Sequence, residues 1–382
     1  MPNILISCGE PSGDLYAGAL TKELITLDPT VRVCGLGGDH LQESGADLVE
    51  HYEGLAATGI SEALAVLPRS LEIYRSMVAR ARADRPDVFV AIDFPEINFR
   101  LAAAFRKLGI PVVYYIGPQA WAWRRGRFGK MRRLVDLALV IFPFEEAIYQ
   151  DAGIPVEFVG HPLVELSEPT EARESFLDSQ GLVLTAPTVA LLPGSRPNEL
   201  RAILPELTSA ARLIRKQCAD VQFIVARAPH LDDELFNSVG ALQEVGVPVQ
   251  IVESRTDDVL AAADVVVTAS GTATVQTAIH QRPMVIVYRL SAFTYWLVKT
   301  FSHVDNAGMV NLIAGKEIVP ELLQERFTAN AVAIEVVRFL NDPRAALRTS
   351  EMLAQVREQL GAGGVSRRVA ERVLAVADSK HA

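Results

Sequence analysis

The chain alternates between two patterns of apolar residues from one end to the other. Short runs rich in Val, Ile and Leu are typical of the buried strands of a parallel sheet. The longer segments between them repeat apolar residues every three or four positions, which is typical of helices that cover such a sheet. We therefore expect an α/β fold of doubly wound, Rossmann-like domains.

The pattern places these elements in two successive sets. In the first set we predict strands at Asn3–Cys8, Val31–Leu36, Asp87–Ile92, Val112–Ile116, Leu137–Phe142 and Glu157–Val159, with helices that include Gly13–Leu27, Leu67–Ala83 and Pro95–Leu108. In the second set we predict strands at Thr188–Leu192, Val221–Ala226, Val249–Val252, Val265–Thr268 and Met284–Tyr288, with helices that include Glu199–Lys216 and Thr272–His280. After Thr328 only the helical pattern remains.

The alternation lapses between residues 160 and 188, which indicates a domain boundary. We expect an N-terminal domain over residues 1–165, a linker over 166–187, a second domain over 188–340 and C-terminal helices over 341–382. Two doubly wound domains of similar size imply a cleft that both domains face. Ligands of such domains bind at the carboxyl ends of the strands, so the residues after each strand are the candidates for chemistry.

Composition narrows the classes of function. The 382 residues carry 37 basic and 46 acidic side chains, a net charge of −9, which disfavours nucleic acid binding over the whole surface. Mean hydropathy is +0.20, yet no apolar stretch is long enough to cross a membrane. The three cysteines lie far apart and no signal peptide precedes the first strand, so we expect a reducing cytoplasm.

The first strand leads into a glycine-containing loop, and Glu10, Ser12, Gly13 and Asp14 lie in it. Its glycines permit a tight turn, and the helix that follows offers free N–H groups to an anion or a polar substrate group. The loop lacks both the Walker A lysine and the dinucleotide fingerprint, so neither ATP nor NAD is implied. The structural alternative is that Ser12 caps the helix.

Asp93 follows the predicted strand Asp87–Ile92 and precedes a proline at the start of a helix. A carboxylate at a strand end can act as general base on a substrate hydroxyl. The alternative is that Asp93 caps the helix, because Asp before Pro is a common helix start. Both interpretations remain open from the sequence.

Two loops of the second domain have the composition of a diphosphate site. Gly194, Ser195 and Arg196 close one strand, and the Arg196 guanidinium has the planar fork that suits a diphosphate. Ser270, Gly271 and Thr272 close another strand with small residues whose N–H groups and hydroxyls can approach phosphate oxygens. Two such loops in one sheet favour phosphate binding over ordinary helix capping.

The segment 114–133 combines aromatic residues with six basic residues and contains no acidic one. Stacked rings and cations can bind single-stranded nucleic acid, a phosphorylated ligand or an anionic membrane. The alternative is a solvated helix face with buried tryptophans. The residues that we expect at a membrane or at an acceptor phosphate are Trp121, Trp123, Arg124, Arg125 and Arg127.

Other chemistry has little support in the sequence. No H-E-x-x-H motif and no tight His or Cys cluster occurs, and neither does the D-x-D pattern by which many nucleotide-sugar transferases hold a divalent ion. We expect no metal and no cofactor.

Taken together, a series of motifs resembles the lipid-A-disaccharide synthases, which are GT-B glycosyltransferases of family 19. The motifs occur in the family's order, from Gly9 to about Gln324: Gly9–Asp14, Asp93–Pro95, Pro118–Arg124, Phe142–Glu145, Val159–Pro162, Leu192–Arg196, Ser270–Ala273 and Asn311–Gly315. The resemblance implies transfer of 2,3-diacylglucosamine from its UDP derivative to 2,3-diacylglucosamine 1-phosphate. The products would be a β-1,6-linked disaccharide 1-phosphate and UDP.

The resemblance also implies roles for individual residues. Asp93 would be the catalytic carboxylate. The substrate-binding residues would be Glu10, Ser12, Gly13 and Asp14 in the first domain, and Gly194, Ser195, Arg196, Ser270, Gly271, Thr272, Gln276, Asn311 and Gln324 in the second. Asn311 would face the cleft. Gln276 stands where the family often has Glu, at a helix position that GT-B enzymes use for ribose hydroxyls, and an amide can still hydrogen-bond a hydroxyl.

The implied partners are the two lipid substrates and the anionic inner face of the inner membrane, on which the protein would be peripheral, with no nucleic acid. Two alternatives remain at this point. One is another GT-B enzyme that uses a UDP-sugar, such as a UDP-GlcNAc 2-epimerase, which needs the diphosphate loops but no lipid acceptor. The other is a non-catalytic, nucleotide-regulated protein that binds membrane or RNA through the basic aromatic segment.

Overall fold

The computed structural model describes residues 1–55, 66–118, 126–229, 231–289 and 308–379. The chain divides into two compact units. Unit 1 consists of Met1–Pro162 and Leu360–Ala382, and unit 2 consists of Leu163–Gln359. None of the helices in the described ranges is long and apolar enough to span a membrane.

In the described part of unit 1, seven strands form a parallel sheet in the order β3-β2-β1-β4-β5-β6-β7. Its strands are β1 (Asn3–Ser7), β2 (Arg32–Gly37), β3 (Asp47–His51), β4 (Val88–Ile92), β5 (Val112–Tyr115), β6 (Leu137–Val140) and β7 (Val156–Phe158). Its helices are α1 (Pro11–Leu27), α2 (Asp39–Glu43), α3 (Leu67–Asp84), α4 (Pro95–Arg106), α5 (Arg127–Leu134) and α6 (Pro143–Asp151), together with a C-terminal helix given below.

Unit 2 is a six-stranded parallel sheet in the order β10-β9-β8-β11-β12-β13. Its strands are β8 (Thr188–Leu192), β9 (Gln222–Arg227), β10 (Val249–Glu253), β11 (Val265–Ala269), β12 (Met284–Tyr288) and β13 (Glu321–Leu323). Its helices are α7 (Leu163–Leu166), α8 (Arg173–Ser179), α9 (Pro197–Gln217), α10 (Asn237–Gln243), α11 (Thr256–Ala262), α12 (Thr272–Ile279), α13 (Met309–Ala314), α14 (Ala329–Asn341) and α15 (Pro343–Gln359), with 3₁₀ turns at Asp233–Phe236 and Gln324–Arg326.

The last helix, α16 (Val365–Ser379), belongs to unit 1, where it packs against α1. The segment 341–382, which we expected to form one set of C-terminal helices, is therefore divided between the two units. The segment 166–187, which we expected to be a linker, is part of unit 2. Its Thr170 donates backbone and hydroxyl hydrogen bonds to Asp258 of α11 at 2.7 and 2.9 Å, and these bonds fix it to that unit.

The predicted α/β class is confirmed, and the central strands coincide with the longest apolar runs. β4, β8 and β11 are buried along their whole length because helices cover both faces of a parallel sheet. The sequence analysis missed β3 and β13, which are edge strands. β3 has polar residues at three of its five positions and β13 has only three residues, so neither produces a continuous apolar run.

Candidate functional site

In each sheet the strand order reverses at one point, and the predicted loops flank that point. In unit 1 the reversal lies between β1 and β4, which lead into the 9–14 loop and Asp93. In unit 2 it lies between β8 and β11, which lead into the 194–196 and 270–272 loops. Such switch points are where doubly wound sheets bind their ligands.

In the loop after β1, Gly9 lies close to the ring of Phe94, which follows β4. A Cβ at Gly9 would lie 2.3 Å from the Phe94 ring, so only glycine fits there. Helix α1 begins at Pro11 with Glu10 as the N-cap residue. Ser12 therefore lies inside the first turn and does not cap the helix, which removes the structural alternative for that residue.

Asp14 is nearly fully buried, at 1 % exposed, and its carboxylate serves the chain itself. It accepts backbone hydrogen bonds from Gly38 at 2.7 Å, His40 at 2.9 Å and Leu41 at 3.2 Å. These N–H groups belong to the start of α2, which a carboxylate stabilises. Asp14 thus joins the loop after β1 to the loop after β2.

Asp93 lies in an unusual turn. Both Asp93 (φ 44°) and Phe94 (φ 47°) are in the left-handed region, which side chains disfavour. The N-cap residue of α4 is Phe94, not Asp93, so the alternative in which Asp93 caps the helix does not hold. Two strained residues in succession directly after a buried strand are typical of a functional site rather than of a helix start.

Two buried side chains hold this turn by the Asp93 backbone carbonyl. The Tyr114 hydroxyl donates to it at 2.8 Å and the Asn98 amide donates at 2.7 Å. Neither residue is among the site residues predicted from the sequence. The signal available for Asn98 was its place on a helix face that also carries Ile97 and Leu101, where an amide needs buried partners.

The surroundings of Asp93 favour its protonated form. Burial, and after it the negative charge of Glu10, together raise the pKa of Asp93 to about 7. The Phe94 backbone N–H and the charge of Arg127 act in the opposite direction. A carboxyl with a pKa near neutrality can accept a proton from a hydroxyl and release it again at physiological pH.

The basic aromatic segment is described only in part. Trp121, Trp123, Arg124 and Arg125 lie outside the described residues. Arg127 begins α5 and pairs with Glu96 of α4, with Nη2 2.9 Å from Oε1. Arg127 thus places a positive charge near Asp93 as well as at the start of the basic helix.

In unit 2 the conformation of the loop after β8 depends on Gly194 and on the side chain of Glu199. Gly194 has φ +114°, and a Cβ there would lie 2.5 Å from a carboxylate oxygen of Glu199. That carboxylate accepts the Ser195 N–H at 3.2 Å and lies 3.6 Å from the Arg196 guanidinium. Arg196 is the N-cap residue of α9, and its side chain is 39 % exposed.

The loop after β11 leads directly into α12. Gly271 is the N-cap residue and has φ 155°, a backbone conformation close to exclusive to glycine. Ser270 donates its N–H to the end of β12 at Val287, while Gly271 and Thr272 are exposed at the start of the helix. The first N–H groups of α12 thus point out of the same edge of the sheet as Arg196.

Gln276 lies one turn further along α12 and is partly exposed. Its Nε2 lies 3.5 Å from Oδ1 of Asp257, which also lies 3.0 Å from Nε2 of His280. The contact on Nε2 leaves the Gln276 amide oxygen as an acceptor for a ligand hydroxyl.

Gln324 and Asn311, the remaining two predicted residues, differ in how deeply they are buried. Gln324 follows β13 at the same sheet edge as the two loops and is partly buried. Asn311 is 0 % exposed, so the expectation that it faces a ligand is not met. Its amide donates to Val319 and Glu321 and accepts the N–H groups of Ile318 and Val319, which fixes the approach to β13.

Within the described part of the chain, no group of three His, Cys, Asp or Glu side chains is arranged to hold a metal ion. Among the described residues, Arg196 and the N-terminus of α12 can stabilise an anionic leaving group. Asp93 lies at a strand end and can accept a proton. Asp93 in unit 1 and the two loops of unit 2 are therefore candidates for these two chemical roles.

Comparison with solved structures defines the class. The fold matches a UDP-GlcNAc 2-epimerase from Neisseria meningitidis bound to UDP-GlcNAc, with a TM-score of 0.70, 12 % identity and coverage of 98 % of this chain and 100 % of the other. It also matches the spinosyn rhamnosyltransferase, with a TM-score of 0.62, 16 % identity and coverage of 98 % and 100 %. The chain has the GT-B fold of glycosyltransferases and of these epimerases.

Sequence comparison identifies the family. The profile described as lipid-A-disaccharide synthetase matches residues 4–374. A lipid-A-disaccharide synthase of Geobacter sulfurreducens is 40 % identical over 374 residues, covering 97 % of this chain and 96 % of the relative. One of Anaeromyxobacter dehalogenans is 41 % identical over 374 residues, covering 98 % and 97 %. The chain belongs to the lipid-A-disaccharide synthetase family, as the motif series predicted.

Family membership decides between the alternatives that the sequence left open. The Neisseria meningitidis epimerase shares the fold at 12 % identity, whereas the synthases share about two fifths of the residues. The chain is therefore a glycosyltransferase of lipid A biosynthesis, a function that these findings favour over that of an epimerase. A non-catalytic binding protein is likewise disfavoured.

Proposed function

We propose that this protein transfers 2,3-diacylglucosamine from its UDP derivative to the 6-hydroxyl of 2,3-diacylglucosamine 1-phosphate. The oxygen of that hydroxyl forms a bond to C1 of the donor sugar while the bond from C1 to UDP breaks. The configuration at C1 inverts, and the products are the β-1,6-linked disaccharide 1-phosphate and UDP. The observation that carries the proposal is the Asp93 carboxyl, held at a strand end with a pKa of about 7.

Asp93 serves in this proposal as the general base. A primary hydroxyl is a poor nucleophile at neutral pH, so its proton must pass to a base as the new bond forms. Burial and the charge of Glu10 raise the Asp93 pKa, so the carboxylate accepts that proton more readily than an exposed aspartate would.

Unit 2 supplies the site for UDP. The leaving diphosphate gains negative charge as the bond to C1 breaks, and Arg196 and the N-terminus of α12 stabilise that charge. Gly194, Ser195, Ser270, Gly271 and Thr272 form the loops around it. Gln276 binds a ribose hydroxyl and Gln324 contacts the donor.

Unit 1 supplies the acceptor side through Glu10, Ser12 and Gly13. Asp14 contributes by holding the loop that follows β2, as its three backbone hydrogen bonds indicate. Asn311 contributes indirectly, by fixing the chain ahead of β13. These two residues support the site in this proposal without touching the substrates.

We further propose that the protein acts as a peripheral protein on the cytoplasmic, anionic face of the inner membrane. Both substrates carry acyl chains, and the segment with Trp121, Trp123, Arg124, Arg125 and Arg127 combines rings and cations that suit lipid phosphates. The same cations would also suit the phosphate of the acceptor.

One assay tests the proposed transfer. UDP-2,3-diacylglucosamine is incubated with the protein, with and without 2,3-diacylglucosamine 1-phosphate, and the products are separated by thin-layer chromatography. The proposal expects a disaccharide 1-phosphate and stoichiometric UDP only when the acceptor is present. An altered sugar nucleotide formed without the acceptor would indicate epimerisation and would overturn the proposal.

A further inference from the structure

The Asp93 turn is strained but tightly bonded. Asp93 and Phe94 both have positive φ, and on the other side of the turn the Phe94 ring closely approaches Gly9. Such a conformation persists only where surrounding groups hold it. The groups that bind the Asp93 backbone therefore determine where its carboxylate points.

Asn98 is fully buried, and both its Nδ2 and its Oδ1 form hydrogen bonds. Its Nδ2 donates to the Asp93 carbonyl at 2.7 Å, and the carbonyls of Ile92 and Ser7 lie within 3.3 Å. Its Oδ1 accepts the Ser7 hydroxyl at 2.7 Å, which fixes the orientation of the amide. Asn98 thereby ties the end of β4 to the end of β1.

Tyr114 holds the same carbonyl from the neighbouring strand β5. Its hydroxyl donates to the Asp93 oxygen at 2.8 Å, and the ring is fully buried. Burial and the nearby Asp93 charge raise the pKa of Tyr114, so the phenol keeps the proton that it donates. The Asp93 N–H completes the turn by donating to the Tyr115 carbonyl at 3.2 Å.

We propose that Asn98 and Tyr114 are positioning residues, which hold the left-handed Asp93 turn by its backbone carbonyl so that the Asp93 carboxylate meets the acceptor hydroxyl. The proposal rests on the proposed function of Asp93 as the base. Neither residue touches the reacting atoms. Their contribution is geometric, because displacement of a base by about 1 Å is enough to slow a proton transfer by roughly 100-fold.

The first variant is Tyr114→Phe, which removes one of the two donors and leaves the ring. We expect kcat to fall between about 10- and 100-fold, with the KM of the donor and the Kd of UDP unchanged. The control Ser44→Ala also removes a buried hydroxyl of unit 1, one that donates to Leu41 at 2.6 Å and not to Asp93. We expect Ser44→Ala to keep the wild-type kcat.

The second variant is Asn98→Leu, which removes the Nδ2 donor and keeps a side chain of similar volume. It also removes the acceptor for the Ser7 hydroxyl and adds no charge beside Asp93. We expect a larger loss of kcat than in Tyr114→Phe, with the Kd of UDP unchanged. If this variant fails to fold, Tyr114→Phe alone decides.

A double-variant cycle separates positioning from general stability. If Tyr114 acts through Asp93, then Tyr114→Phe added to Asp93→Asn causes no further loss of kcat. A full additional loss in the double variant would overturn the proposal, and so would a wild-type kcat and pH profile in Tyr114→Phe. High activity of Asp93→Asn alone would instead overturn the proposed base, so the two failures are distinguishable.

Discussion

The Glu199 carboxylate accepts the backbone N–H of Ser195 at 3.2 Å and lies 3.6 Å from the Arg196 guanidinium. Glu199 thus holds the loop that we expect to meet the diphosphate of UDP. The contact explains why Gly194 cannot carry a side chain, because a Cβ would collide with Glu199.

We predict that Arg196→Ala weakens UDP binding by about 1.5–3 kcal/mol, because a charge-assisted contact with the diphosphate is lost. Titration calorimetry with UDP measures this directly. Arg201→Ala is the matched control, because Arg201 is an exposed arginine of the same helix that bonds to Asn198 at 3.1 Å. Equal UDP affinities for wild type and Arg196→Ala would refute the placement of the diphosphate at this loop.

We predict that turnover survives excess EDTA. In the proposed mechanism Arg196 and the N-terminus of α12 stabilise the leaving diphosphate, a task that a divalent ion performs in many other transferases. Initial rates measured with and without EDTA provide the test. Loss of activity with EDTA, restored by Mg²⁺ or Mn²⁺, would reveal a ligand set that this prediction omits.

We predict that charge reversal at Arg125 and Arg127 together weakens binding to anionic liposomes or raises the acceptor KM. The effect should shrink at high salt, because salt screens the attraction between cations and an anionic lipid surface. A second variant to compare is Glu96→Gln, which removes the ion-pair partner of Arg127 and leaves all basic residues unchanged. If liposome binding and acceptor KM both keep their wild-type values, the basic segment is a solvated surface.

The raised Asp93 pKa has a consequence for stability. The folded chain keeps a proton on Asp93 up to about pH 7, whereas the unfolded chain releases it near the ordinary value of 3.8. The folded state therefore binds more protons between these values, so the free energy of unfolding falls as pH rises through this window.

The Asp93→Asn variant has no carboxyl group at position 93, so it lacks this contribution to the pH dependence of the free energy of unfolding. We therefore predict that its melting temperature relative to wild type is higher at pH 8 than at pH 4. Thermal unfolding of both proteins at the two pH values measures the difference. An equal difference at both pH values would mean that the Asp93 pKa is ordinary.

The α/β class and the position of the candidate loops at the ends of strands could be predicted because they follow from local sequence. A continuous apolar run is enough to identify a buried parallel strand such as β4, and its end places Asp93 at the carboxyl edge of the sheet. The same reasoning brings Arg196 and Gly271 to one edge. The edge strands β3 and β13 have no such run.

The partners of individual polar side chains could not be predicted, because they lie elsewhere in the chain. The carboxylate of Asp14 is bound by N–H groups 24 to 27 residues away, and Asn311 is buried by the segment before β13. A motif shows that such a residue is required, but does not show whether a substrate or the backbone requires it. The left-handed Asp93 turn likewise depends on Tyr114, 21 residues further on.

The central claim is that Asp93 is the base of the transfer, and the kcat of Asp93→Asn tests it most directly. General base catalysis contributes about 10²–10⁴-fold, so we predict a kcat lower by that factor for disaccharide formation from UDP-2,3-diacylglucosamine and its acceptor. The UDP Kd should be unchanged, because the loops that we propose for UDP lie in unit 2. An Asp93→Asn variant that keeps nearly full kcat would contradict the claim.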